Sequence, residues 1–320
     1  MKIILTTLLS VTLASTAYAR DNIQVSGSST VLPFATIVAE AFGENFDFPT
    51  PVVEGGGSGA GRKKLCEGVG ETTIDIANSS SKMKDSEYED CAANGVTDVK
   101  EVQFGYDGIV FASDVNGNSF ELTVQDLYSA LHESSTATKW NEVNPSLPEQ
   151  EILALIPGTK HGTREVFDVK VMEAGCKAVL GVEKLDDDQK KACIKVRTDG
   201  VAVDIDGDYT ETLARLAADT KAVGVFGLSF YQNNSDKLKV ATVDGVVPSV
   251  ETISSGDYPV SRPLFFYVKT QHIGVIPGLK EYVEFFVSNE MSGPGGELEA
   301  YGLVPDPKLS ETQADVASLK

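Results

Sequence analysis

The chain is poor in the residues that build metal sites and redox centres. Its 320 residues include four cysteines, three histidines and one tryptophan. No metal-type His/Asp spacing surrounds His132, His161 or His272, which sets aside a zinc hydrolase. Positive charge is also scarce. Lys and Arg number 27 against 47 Asp and Glu, a formal charge of −20, which disfavours nucleic acid and anionic membrane surfaces as partners. The longest apolar stretch, Ile3 to Leu13, is shorter than the roughly 20 residues a bilayer-spanning helix needs. No internal repeat or low-complexity segment is present.

What is present begins with that stretch. Met1-Lys2, a short apolar core and Ala17-Tyr18-Ala19 describe a cleavable secretory signal over residues 1–19. The mature chain is expected to start near Arg20 and to be soluble outside the cytoplasm. No cysteine follows the cleavage point, so a lipid anchor is not expected. In an oxidising compartment the even cysteine count favours disulfides. Local spacing selects Cys66–Cys91 and Cys176–Cys193 among the three possible pairings. Loops of this size would each stabilise the fold by about 3 kcal/mol in the chain-entropy model.

Strand-like runs alternate with helix-like stretches: Asn22–Val25 then Val31–Phe42, Thr50–Val53 then Arg62–Cys66, Ile74–Ala77 then Ser86–Ala93. This alternation predicts α/β architecture with mixed or parallel sheets flanked by helices. The continuously apolar runs around Ile109 and Phe265 read as buried strands and as two crossings between lobes. Lobe I would then be discontinuous, residues 20–108 plus 262–320, with lobe II at 109–261 between them. Thr123 is a possible cap for a helix to Leu131. The charged run Glu183–Lys191 reads as a solvated helix face or loop, and the C-terminal tail as a polar stretch.

Three segments share one chemistry. Val25–Thr30, Gly55–Gly61 and Pro157–Arg164 each offer glycine and hydroxyl residues between an apolar run and a helix-like pattern. Such turns leave free backbone N–H groups at a helix N-terminus, suited to holding an oxyanion. Three of them predict a site assembled from several helix ends, beyond the strand C-termini.

In order along the chain stand Ser26-Gly27-Ser28-Ser29-Thr30-Val31, Gly57-Ser58-Gly59-Ala60-Gly61, Asp75-Ile76-Ala77-Asn78-Ser79-Ser80, Tyr106-Asp107-Gly108, His161-Gly162-Thr163-Arg164 and Tyr258–Leu264. Together these resemble the periplasmic phosphate-binding proteins that feed Pst-type ABC transporters, from about Asn22 to Pro305. The resemblance implies a two-lobed type II binding-protein fold with two hinge crossings, closing over one dehydrated phosphate. It implies a periplasmic receptor, a membrane permease as partner, no cofactor and no catalysis. A monomer is expected from the class. By motif, the ligand set would be Ser28, Ser29, Thr30, Ser58, Ser79, Ser80, His161, Gly162, Thr163 and Arg164. The chain departs from the family where it has His161 for a serine, Ser81 for an arginine and Ser80 for an aspartate found in some relatives.

Arg164 would supply the one formal positive charge through a planar fork. Phosphate, unlike sulfate, keeps a proton at neutral pH, so selectivity needs an acceptor. Asp107 is the carboxylate expected in that role, against a turn residue's local bonding as the plainer reading. His161 is expected to meet the ligand through its side chain or its backbone N–H. Other functions fit less well. Gly56–Gly61 is followed by Arg62 and Lys63 where a phosphate-binding NTPase loop requires Lys and Ser or Thr. Gly56–Ala60 falls one residue short of a serine-hydrolase elbow, leaving a serine-dependent hydrolase or phosphatase as the enzyme alternative. Asp204–Asp208 has its glycine misplaced for an EF-hand. Within binding proteins, sulfate or molybdate is the runner-up ligand.

Overall fold

The computed structural model describes residues 20–159, 162–206 and 209–320; the expected signal segment, residues 1–19, lies outside them. Three short parallel strands start the first half: β1 (Gln24–Gly27), β2 (Val52–Gly55) and β3 (Ile76–Ser79), with β1 central. β4 (Val99–Asp114) is 16 residues long. It is followed by β5 (Glu121–Leu122), β6 (Ala154–Pro157), β7 (Ala202–Ile205), β8 (Val223–Gly227), β9 (Leu238–Val240) and β10 (Thr242–Val243). β11 (Ser261–Lys269) and β12 (Leu303–Pro305) complete the set. The main sheet runs β2-β1-β3-β11-β4-β8-β6-β7, with β12 and β9 also on β4, and β5 pairs with β10. This is the mixed α/β architecture the alternating pattern predicts.

β4 belongs to two cores. Its first part pairs antiparallel with β11, from Val99↔Lys269 to Gly108↔Ser261. Its second part, Ile109–Ser113, pairs antiparallel with β8. One apolar core gathers residues of the helix Leu32–Asn45 with Phe104, Leu264, Phe266, Val268, Leu279, Leu303 and Val316; the other gathers residues from Ile109 to Val260 together with Val304. The same strand therefore passes from one packed interior to the next, with a register shift at Leu264/Phe265 in its pairing with β11 and a change of partner to β8 at Ile109.

Local sequence explains the helix starts. α1 (Leu32–Asn45) has proline in its first turn, and Ser28 Oγ accepts from the Thr30 and Val31 backbone N–H groups ahead of it. Its inner face buries Phe34, Ala35, Val38, Ala39 and Phe42. α2 (Ser58–Leu65) lies so close to β1 that a Cβ on Gly61 would come 2.5 Å from the Gly27 Cα. Gly27 itself has φ 150°, and a Cβ there would overlap the Asn78 backbone. α3 (Asp85–Ala93) is tied to α2 by the Cys66–Cys91 disulfide. α4 (Val124–Leu131) is capped by Thr123, whose Oγ1 accepts from Asp126 N. The Cys176–Cys193 disulfide joins the helix Ala174–Leu180 to Asp187–Cys193, so both spacing-based pairings are formed.

The polar tail is a helix, Leu309–Ala317, because Leu309 and Val316 are spaced to bury one stripe. A buried polar cluster holds the other end of β1 and β3. Asp75 is fully buried and receives Arg20 through both carboxylate oxygens at 2.6 Å, His272 Nδ1 at 2.6 Å and Gln24 N at 2.7 Å. Beside it burial pushes the Lys269 ammonium down to about 8, opposed by the Asp75 charge. Among the described residues no helix is long and apolar enough to cross a membrane.

Candidate functional site

The C-terminal ends of β1, β2 and β3 gather the first two hydroxyl-rich turns and the serine run. Ser28 N donates to Asn78 O at 2.9 Å, and Gly57 N donates to Gly27 O at 2.8 Å. Ser58 opens α2, and its Oγ lies 3.1 Å from Ser80 Oγ and accepts from Ser80 N at 3.1 Å. Ser79 Oγ, buried, accepts from Arg62 Nη1 at 2.6 Å and donates to Ser81 O. Arg62 is anchored in turn on Glu87 at 3.0 Å. Ser29 is exposed at the turn's crest, while Ser28 and Thr30 are buried.

The third turn approaches from the second core. After α5 (Trp140–Val143), β6 leads to α6 (Gly162–Val166), which continues into a π-helical segment, Phe167–Glu173. Thr30 Oγ1 donates to Glu165 Oε2 at 2.7 Å across the two cores, while Arg262 Nη2 donates to Thr30 Oγ1. Arg262 Nη1 stands 3.6 Å from Glu165 Oε1. Arg262 is the register partner of Asp107 across β11 and β4. Thr163 bonds the Tyr209 hydroxyl, which also feels the Asp107 charge; burial pushes that phenol above its usual range.

Asp107 is 3% exposed. Burial pushes its carboxyl up to about 6; the Arg262 guanidinium opposes this and the Glu165 charge adds to it. Arg262 Nε and both Asn78 amide atoms are buried and unpaired. Unpaired buried polar groups are rare in native folds, and at Arg262 and Asn78 they leave polar capacity that a small ligand or water could take up.

Several expected residues therefore sit together: Ser28, Thr30, Ser58, Ser79 and Ser80 around the strand ends, and Thr30, Asp107 and Thr163 around the crossing strands. Gly162 is the first residue of α6. His161 lies outside the described residues. Arg164 faces elsewhere: Nε donates to Asp168 at 2.8 Å, and Nη1 donates to Asp204 at 2.7 Å and Pro157 O at 3.2 Å. The guanidinium at the convergence is Arg262. Sequence reasoning missed Arg262, Glu165 and Tyr209, although Arg262 stands inside the quoted Tyr258–Leu264 motif. A cavity of about 350 Å³ opens beside Arg262, with Lys170, Gln103 and Tyr106 among its walls.

His132 Nδ1 bonds Ser134 Oγ and His272 is held between Asp75 and Gly70 N; neither bonds Ser29 or Ser58. Among the described residues no group of three or more His, Cys, Asp or Glu could hold a metal. Gly207 and Asp208, the end of the Asp204–Asp208 run, lie outside the described residues.

The class of protein follows from fold and family together: a family model described as a PBP superfamily domain matches residues 13–290. Phosphate-binding protein PstS of Staphylococcus epidermidis is 30% identical over 294 residues, 88% of this chain and 78% of that protein. Protein SphX of Synechocystis is 29% identical over 290 residues, 88% of this chain and 79% of that protein. A crystal structure of a possible phosphate binding protein from Planctomyces limnophilus superposes with TM-score 0.71 at 27% identity, covering 92% of this chain and 98% of that one. The chain belongs to the PBP superfamily and, within it, to the family of the PstS phosphate-binding proteins.

Proposed function

We propose that the protein is an extracytoplasmic receptor that captures one inorganic phosphate and delivers it to the membrane permease of an ABC transporter. Residues 20–108 plus 262–320 form one lobe and 109–261 the other, closing about β4 and β11. It acts in the periplasm after removal of residues 1–19, as a monomer without a lipid anchor, a cofactor or turnover. The observation that carries this reading is the convergence of Thr30, from one core, with Glu165, from the other, and with Arg262 and Asp107 on the crossing strands.

The chemistry is that of a desolvated anion. Removing phosphate from water is costly unless its oxygens regain hydrogen bonds. The turns ahead of α1, α2 and α6 supply backbone N–H groups with partial positive charge behind them. Ser28, Ser29, Thr30, Ser58, Ser79, Ser80 and Thr163 supply hydroxyls, with Gly162 and His161 as further contacts expected from the motif. Arg262 supplies the guanidinium within reach of that convergence. Arg164 secures α6 to Asp168 and Asp204 and so holds the third turn in place. Asp107 accepts a hydrogen bond from the ligand's P–OH group. Charged hydrogen bonds contribute roughly 1.5–3 kcal/mol each and micromolar binding needs about 8 kcal/mol, so a handful suffices. The protein's net negative charge does not prevent this, because distant surface charges are screened within about 8–10 Å.

Calorimetric titration with phosphate, arsenate and sulfate tests the reading. Phosphate is expected to bind one per chain and sulfate far more weakly. Turnover of a chromogenic phosphate ester, lost on Ser58→Ala, would replace the receptor with an enzyme. Tighter binding of sulfate or molybdate than of phosphate would replace the ligand.

A further inference from the structure

Two carboxyl groups, not one, face the place where Thr30 and Arg262 meet. Asp107 reaches it from β4 and Glu165 from α6, near enough for the Glu165 charge to act on Asp107. They differ in setting. Asp107 is buried on a crossing strand, whereas the Glu165 side chain is 39% exposed. Glu165 is nevertheless held in place: one oxygen accepts the Thr30 hydroxyl at 2.7 Å and the other stands 3.6 Å from Arg262 Nη1.

The surrounding charges come from every neighbouring element. β11 gives Arg262, and the π-helical segment gives Lys170, a cation whose desolvation and nearness to Arg262 hold its ammonium below the usual range. The same segment gives Asp168, which is paired with Arg164. The helix Tyr209–Ala218 gives the Tyr209 phenol. Arg164 is shared between Asp168 and Asp204 on β7, so that trio keeps one negative charge, while Arg262 and Lys170 face Asp107 and Glu165. The surroundings therefore carry no excess positive charge, which favours a ligand of low charge.

A carboxylate accepts a hydrogen bond from a P–OH group but repels a bare phosphate oxygen. One acceptor suits HPO4²⁻, which carries one such group. Two acceptors suit H2PO4⁻, which carries two; its two bare oxygens are left for the guanidinium and the helix-end amides. Accordingly, and resting on the phosphate reading above, we propose that Asp107 and Glu165 act as a pair that selects the doubly protonated monoanion. Glu165 is then a specificity residue, accepting the hydrogen bond of the second P–OH group, which Asp107 alone cannot accept.

The test is calorimetry of the full chain with inorganic phosphate near pH 6.5, 7.5 and 8.5, each in two buffers of different ionisation enthalpy. In the wild type near pH 8.5, where free phosphate is the dianion, about one proton is expected to be taken up per phosphate bound. Affinity should fall about tenfold per pH unit on that side. Glu165→Gln, a change at a partly exposed position, should still bind, with proton uptake near zero and a flattened pH dependence, because the amide can donate to an unprotonated oxygen. Wild-type binding without proton uptake near pH 8.5 would overturn the proposal, as would Glu165→Gln taking up as many protons as the wild type. Phosphate that gave no binding heat at any of these pH values would overturn the receptor reading and this proposal with it.

Discussion

Replacing Arg262 and Arg164 separately by methionine distinguishes a ligand contact from a structural tie. Methionine keeps most of the stem's volume while removing the guanidinium. A guanidinium can give a tetrahedral anion two charge-assisted bonds at roughly 1.5–3 kcal/mol each. Arg262 already shares its fork with Thr30 and, at 3.6 Å, with Glu165. The lower end of that range therefore applies: about 3 kcal/mol, or roughly a hundredfold rise in the phosphate Kd for Arg262→Met. Loss of Arg262 also leaves Asp107 without the cation that opposes its upward shift, so its carboxyl moves further up. Arg164→Met removes bonds to Asp168, Asp204 and Pro157 O. Asp204 is half exposed, so the expected loss is about 1–3 kcal/mol of stability, with less than a tenfold change in Kd. Calorimetry with phosphate gives the first quantity and thermal unfolding of the ligand-free proteins the second. If Arg164→Met weakened phosphate binding more than Arg262→Met, the assignment of the charged contact made here would be refuted.

Asp107→Asn should narrow the phosphate-to-sulfate affinity ratio and also stabilise the ligand-free protein. The folded carboxyl sits at about 6 against an ordinary 3.8, a difference worth up to about 3 kcal/mol. Because the folded value is raised, the native state binds the proton more readily. Its ionisation cost is fully present above pH 6 and is relieved as pH falls from about 6 towards 3.8. The Tm advantage of Asp107→Asn should therefore be seen near pH 7.5 and vanish near pH 4; a constant advantage contradicts it. Asp75→Asn leaves Arg20 and His272 facing a neutral amide in a buried site and should cost about 3–5 kcal/mol in denaturant unfolding, with little effect on phosphate affinity. The double change Cys66→Ser, Cys91→Ser opens a loop of sequence separation 25 and should cost about 3 kcal/mol. An unchanged urea midpoint would argue against that estimate.

Local chemistry was readable in the chain; the meeting of distant segments was not. The turns at Ser28–Thr30 and Gly57–Ser58 announce themselves because glycine, hydroxyl and a following apolar period occur within a few residues, and the disulfides follow from spacing. The alternation of strand and helix likewise sufficed for the α/β class. The pairing of Arg262 with Asp107 depends on the register of β11 against β4, and no local pattern encodes a register between strands so far apart. The choice between Arg164 and Glu165 depends on which side of a five-residue helix meets Thr30. That side is set by β6 and by the π-helical turn after Val166, and adjacent residues on a helix point about 100° apart. The tail helix escaped notice because its buried stripe comes down to Leu309 and Val316 within an otherwise polar stretch.

The double membership of β4 also orders events in time. The interior built from Ile109 to Val260 needs almost nothing from outside that interval, Val304 excepted. The interior around α1 cannot be finished until Leu264–Val268 arrives to pair with β3, Ile76 meeting Val268 nearly two hundred positions later. Loop closure over such a separation is slow relative to local assembly. A chain emerging from its N-terminus can thus pair β1 with β2 and β3 early, but the interior around α1 stays open on one side until most of its length is available.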